Sequence, residues 1–291
     1  MRRLEKGGHM SSVAPDEMWT LAFGENSFVR ILNLYYVMVQ SLKGYAPDDS
    51  RLVRSHGLAA KLFEHAASAF WLSKGTRVPE MSALEVDFCD HSSIALLARA
   101  ALECYLVFYY VFLDPKSEDE FEFRYNGWML AGLARREHYP FQLAEHRIRV
   151  DEERPLYESL REAVKQTTTF QRLKGKAQDR LLLKGKRWRL HPWTEIAKRA
   201  GFGPQYIDSL YDYLSDYAHC GALATLQVSQ AQSREDQMEH AKSSLRTIMI
   251  VLCKMMNSYT EKFPEAAEAL ESDPEASHIC EILTEVARRL G

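Results

Sequence analysis

Apolar residues recur along this chain at intervals of three and four, and glycine and proline fall mainly between the periodic runs. That spacing lines one face of an α-helix, and the breaks divide the chain into long helices with short connections. Leu58, Leu62, His65, Ala69 and Leu72 mark one side of a helix from about Arg51 to Ser73, which Lys74-Gly75 stops. A helix from about Asp16 to Leu42 precedes it and ends at Gly44. A third spans about Ser82 to Leu113 and stops at Asp114-Pro115, because the residue before a proline is pushed out of the helical region. The next, about Ser117 to His138, carries Glu118, Asp119 and Glu120 in its first turn, where the helix dipole favours acids.

Further helices are predicted over about Asp151 to Phe170, Trp193 to Ala200, Gln205 to His219, Ser233 to Lys262 and Pro274 to Leu290. The one β-like run is Thr167 to Phe170, and Gln171 to Arg189 reads as a polar connection. The fold expected is all-α, a bundle of long antiparallel helices. Residues 1–15 are expected to be a disordered or appended tail, 16–262 the bundle, and 263–291 a helical tail packed on it.

Ile94 to Leu113 is about as long as a membrane span. Arg99 and Glu103 interrupt it, and charges there are costly in lipid. A buried core helix with an internal ion pair, and no membrane contact, is therefore expected. Composition adds little. The net charge of −3 implies no partner, and the five cysteines are odd in number and lack C-x-x-C spacing. That argues against a disulfide framework or a structural zinc site. Met1 to His9 is basic with no apolar run behind it, so no leader is read there and a cytoplasmic protein is expected. No phosphate-binding glycine loop and no H-E-x-x-H motif occur, so neither cofactor nor metal is expected.

Three polar constellations remain. Arg99 and Glu103 stand at i, i+4 on an apolar helix, so they share a face. Such a pair is either a core ion pair that fixes helix register or the floor of a polar pocket. The second constellation is Tyr211 to His219. Ser215 and His219 share a helix face there, and His219 sits where the dipole favours a cation or where a general acid/base could act. A Ser215–His219 nucleophile pair is disfavoured, because no strained turn or oxyanion donor accompanies it.

The third is a basic stretch. Residues 171–199 carry ten Lys or Arg against Asp179 and Glu195, a net +8, so the remainder of a −3 chain is −11. Lys184, Lys186, Arg187 and Arg189 surround Trp188, a mixture suited to phosphate contact and base stacking. It would also suit docking on an acidic sister subunit, so a homo-oligomer is expected. Trp193 to Phe202 imitates the opening of a helix-turn-helix, but the helix that follows presents Asp208, Asp212 and Asp216, which a phosphate backbone repels.

Taken together, Leu97-Ala98-Arg99-Ala100-Ala101-Leu102-Glu103, then Ile196-Ala197 with a glycine turn, then Tyr213-Leu214-Ser215 with Ala218-His219, resemble a bacterial family of unknown function. It is the one numbered five-six-seven-seven among such domains. The resemblance covers about Ser82 to Lys262. It implies kinship with HEPN-type helical bundles, many of them RNases of toxin–antitoxin and phage-defence systems. Their signature is an Arg, then four to six residues, then a His on one helix. Here Ser215, Leu214, Tyr213 and Asp212 stand before His219, so Arg99 or Arg124 from another helix would have to substitute.

Two functional classes follow. One is a non-catalytic, dimeric interaction or defence-associated module in which Arg99, Glu103 and His219 form a buried network. The other is an RNase or toxin-type effector. There His219 is the acid/base, Arg99 stabilises phosphorane charge, Glu103 orients it, and Arg124, Tyr213, Lys184, Lys186, Arg187 and Arg189 hold RNA.

Overall fold

The computed structural model describes residues 24–77, 87–137, 143–182 and 188–290. It is 81% helical, with thirteen α-helices among the described residues, so the chain is an all-α bundle. The helices are α1 (Glu25–Ser41), α2 (Val53–Ser73), α3 (His91–Phe108), α4 (Glu118–Glu137), α5 (Ala144–Gln166), α6 (Thr168–Gln171) and α7 (Gly175–Leu182). They continue as α8 (Trp193–Arg199), α9 (Pro204–Ala218), α10 (Ala222–Gln230), α11 (Arg234–Lys262), α12 (Ala267–Leu270) and α13 (Pro274–Arg289).

Helix α3 is the hub, because α2, α9 and α11 all pack on it. Ala95, Ala98 and Ala101 are fully buried and let neighbouring backbones approach, while Leu102, Leu106 and Phe108 fill the space between. Each large apolar side chain buried this way contributes roughly 1.5–3 kcal/mol. By length and composition alone, His91–Leu113 could cross a membrane. In the fold 56% of its most apolar stretch is buried among protein neighbours, while Leu96 stays 43% exposed. The apolar core runs without a break from Phe28 on α1 to Ala287 on α13, and α13 packs on both α1 and α11. Arg30 bonds Asp273 Oδ2 at 3.0 Å at that junction. All five cysteines are free thiols, with Cys253 and Cys280 facing each other between α11 and α13.

Several boundaries differ from the sequence expectation, each for a local reason. The third helix starts at His91, not near Ser82. Asp90 caps it by accepting from the Ser93 amide at 3.0 Å, and Asp87–Phe88 pair as a short antiparallel ladder with Thr76–Arg77. The expected start of α1 and residues 82–86 lie outside the described residues. The β-like run at Thr167 is a helix start: the Thr167 side chain accepts from the Phe170 amide, and Asp119 accepts from the Thr168 and Thr169 amides. Threonine and aspartate satisfy orphan amides at a helix N-terminus, which outweighs β propensity in so short a run. The polar connection contains α7, and α10 lies where no helix was expected. Ser233 opens α11 with a reciprocal capping box to Asp236.

The end of α3 matters most for the site. After Phe108 the chain widens into a π-turn over Tyr109–Leu113, closed by the Asp114 amide on Tyr109 O at 2.9 Å. The turn re-aims two phenols. Tyr109 donates to Arg199 O at 2.7 Å, and Tyr110 Oη accepts from the Leu190 amide at 3.1 Å. The segment 188–192 is thereby held against the end of α3.

Candidate functional site

The i, i+4 spacing on α3 does bring Arg99 and Glu103 together, with Arg99 Nε donating to Glu103 Oε1 at 3.1 Å. A third member comes from α9. Tyr211 Oη accepts from Arg99 Nη2 at 3.1 Å and donates to the same Glu103 Oε1 at 3.2 Å. The Arg99 guanidinium also lies 5.1 Å from the Tyr211 ring centre. Burial works against the Arg99 charge, but its hydrogen bond to Glu103, the Glu103 charge and Tyr211 together more than offset it, so its pKa lies above the ordinary value. Burial and the neighbouring Glu103 charge push the Tyr211 phenol up, keeping it protonated and able to donate. The triad is closed among its own members, except that Arg99 Nη1 is buried without a partner and Glu103 Oε2 has none among the described residues.

Glu103 lines a half-open cleft of about 640 Å³ between α2, α3, α4 and the segment leading into α8. Three tryptophans, Trp128, Trp188 and Trp193, give it apolar walls. Trp188 and Trp193 meet edge to face at 6.1 Å, and Trp188 meets Tyr110 the same way at 5.7 Å. Lys61, Arg135 and Arg189 supply charge. None of the three has a carboxylate partner within salt-bridge distance among the described residues. Arg189 instead lies 4.0 Å over the Trp193 ring and donates to His191 O at 2.9 Å. Burial lowers its pKa, and the nearby Tyr211 and Glu103 oppose that shift. Three cations against one carboxylate leave the cleft positive, and its aromatic walls favour a flat ring. Clefts of this size take small molecules or one or two residues of a polymer.

The other expected site residues lie elsewhere. Arg124 is not available to a ligand, which corrects the expectation that it binds substrate. Its side chain is 1% exposed and is consumed by Tyr110 O at 2.8 Å, Asp114 Oδ2 at 2.6 Å and Glu120. Arg199 adds a second cation to Asp114 at 2.6 Å, so the cluster ties the end of α3 to α4 and α8. A buried charge paired with Asp114 and Glu120 in this way is structural, although Arg124 Nε is buried without a partner.

His219 is the last cap of α9 and is exposed. Its backbone amide donates to Ser215 O at 3.0 Å, and its ring does not line the cleft. It stands eight residues beyond Tyr211, or about 12 Å along the helix axis. The turn that holds it is closely packed. Cys220 adopts φ 53°, and Asp216 packs on Gly221 so closely that a Cβ there would lie 1.7 Å from its Oδ1. The Arg99, Glu103 and His219 side chains therefore do not meet at one place.

Tyr213 is half-buried against Tyr217, with ring centres 5.2 Å apart, and does not line the cleft. Lys184, Lys186 and Arg187 lie outside the described residues. Among the described residues no group of three or more His, Cys, Asp or Glu is placed to hold a metal ion.

The sequence reading missed Lys61, Trp128, Arg135 and Trp193 as site residues, since they come from three helices, α2, α4 and α8, that no sequence spacing connects. Tyr211 was noted for its neighbours rather than for the carboxylate it holds.

The profile of one family, described as a family of unknown function (DUF5677), matches residues 54–239. The chain belongs to that family. The matched span covers α2, α3, α8 and α9, and so all the elements of the Arg99–Glu103–Tyr211 triad and all the described cleft residues. No curated protein and no solved structure matches the chain.

Proposed function

We propose that this member of the DUF5677 family is a binding module whose cleft takes a nucleotide. The observation that carries the reading is the gathering of three tryptophans and three unneutralised cations around one cleft, with a single braced carboxylate among them. The aromatic wall packs on a base, and Lys61, Arg135 and Arg189 take the phosphate. The basic residues Lys184, Lys186 and Arg187 directly precede Trp188 in sequence, which adds positive charge to the same part of the chain.

The reading is non-catalytic. Acid/base cleavage by His219 needs that imidazole within hydrogen-bond reach of the reacting phosphate. The exposed cap of α9, about two helical turns beyond Tyr211, does not supply that reach.

The test is a binding titration of ribonucleoside 5′-monophosphates and a short single-stranded RNA, with wild type and Arg189→Ala side by side. Saturable binding that weakens about tenfold in the variant supports the reading, in line with the loss of one charge-assisted contact. Binding only of the RNA moves the assignment to a strand-binding surface. Hydrolysis of the RNA that depends on His219 overturns the non-catalytic reading.

A further inference from the structure

The cleft is cationic, and a carboxylate in it repels the phosphate that the cations attract. Glu103 is nevertheless braced there with some precision. Its Oε1 is used up by Arg99 Nε at 3.1 Å and Tyr211 Oη at 3.2 Å, donors from two helices. Its Oε2 has no partner among the described residues, while the side chain lines the cleft and is 33% exposed. An ionised carboxylate only accepts hydrogen bonds. The ligand must therefore bring an O–H or N–H donor to this point, at the opposite polarity from its phosphate.

A ribonucleotide has such a donor whatever its base, in the vicinal hydroxyls of its sugar. Base-edge N–H groups differ from one base to the next, whereas the sugar diol is common to all four. We infer that Glu103 Oε2 accepts a hydrogen bond from a ribose hydroxyl, so that the cleft selects ribonucleotides over deoxy forms. This rests on the nucleotide reading above. The brace gives the contact its selectivity. With Oε1 anchored twice the carboxylate cannot swing away, and an analogue without the hydroxyl leaves Oε2 desolvated and unpaired. Arg99 and Tyr211 are positioning residues in this scheme, since they touch Glu103 and not the ligand.

Glu103→Gln is the discriminating variant. Its carbonyl can still accept from Arg99 and Tyr211, while an amide N–H₂ donor replaces the free acceptor. Affinities of the four ribonucleoside 5′-monophosphates and of their 2′,3′-dideoxy counterparts are measured for wild type and variant, with thermal melts as a folding control. The expected result is a ribo preference of about tenfold in wild type that falls several-fold in Glu103→Gln, whose neutral amide can only donate to the hydroxyl oxygen. Equal binding of both sugars by the wild type overturns this inference and leaves the nucleotide reading standing. A preference undiminished in Glu103→Gln also overturns it, because the charge-assisted contact to the carboxylate is then not what reads the sugar. A preference that follows the base and ignores the sugar overturns it in favour of a base-edge contact. Failure of every nucleotide to bind overturns both readings.

Discussion

Tyr211 on α9 donates its phenolic proton to Glu103 on α3 across 3.2 Å, and the same phenol accepts from Arg99 at 3.1 Å. One residue thus joins two helices and fixes the acidic member of a cationic cleft. Tyr211→Phe removes both bonds and keeps the ring over Arg99. It is expected to cost about 1–2 kcal/mol of stability, the net worth of a hydrogen bond to charged partners at a half-buried site. Urea unfolding of both proteins measures it. No change in midpoint would mean that the phenol is not part of the brace.

Arg124 holds the larger structural share. Arg124→Ala leaves Asp114, which is 3% exposed, with Arg199 and the more distant Lys116 to neutralise it. A loss of about 3–5 kcal/mol is expected, the usual cost of breaking a buried charge pair from one side. The same unfolding experiment should rank this variant well below Tyr211→Phe. The opposite order would contradict the assignment of Arg124 to the scaffold.

His219→Ala is expected to leave nucleotide affinity within about twofold of wild type, since exposed side chains outside a site couple weakly to it. Gly221→Ala is different. The new methyl would meet the Asp216 carboxylate, which accepts from the Ala224 amide and caps α10. That should cost about 1–2 kcal/mol through the lost cap alone. Equal melting of the Gly221→Ala and wild-type proteins would show that the turn is softer than its contacts imply.

Acid should weaken the fold early. Burial holds the pKa values of His56, His65 and His91 below the ordinary 6.5, and His240 adds to the shift at His91. As the pH falls through 6.5 the unfolded chain binds protons that the folded chain does not. The stability attached to the neutral imidazoles is thus present above 6.5 and lost below it. Carboxylates enter only later, since Thr168 and Thr169 bonds hold Asp119 down at about 2 against its burial. Melting temperatures from about pH 8 to about pH 5 should be flat and then fall. A constant value across that range would contradict the burial of these rings.

Much of the architecture was legible in the chain. Asp114-Pro115, the Lys74-Gly75 stop and Ser233 all act within a few residues, so they could be read as punctuation. Arg99 and Glu103 were legible for the same reason, being one helical turn apart. The cleft was not. Lys61, Arg135 and Trp193 belong to three helices, and only packing around α3 makes them neighbours. Tyr211 reaches Glu103 from 108 residues away. His219 misled in the opposite way. Its place on the α9 face looked chemical, but Tyr211 faces α3 while His219, just past the end of α9, is exposed. Short caps also misled, since Thr167 reads as a β-former until Phe170 is seen to donate to its hydroxyl.

The central claim is that the cleft binds a nucleotide. Three of the chain's five tryptophans line it, so their emission reports occupancy directly. A titration of wild type with ribonucleoside 5′-monophosphates, repeated with Lys61→Ala and Arg189→Ala, measures it. The account predicts saturable quenching by the wild type and a titration shifted about tenfold to higher ligand in each variant. Emission unchanged up to about millimolar nucleotide, the weak end of specific binding, would contradict it.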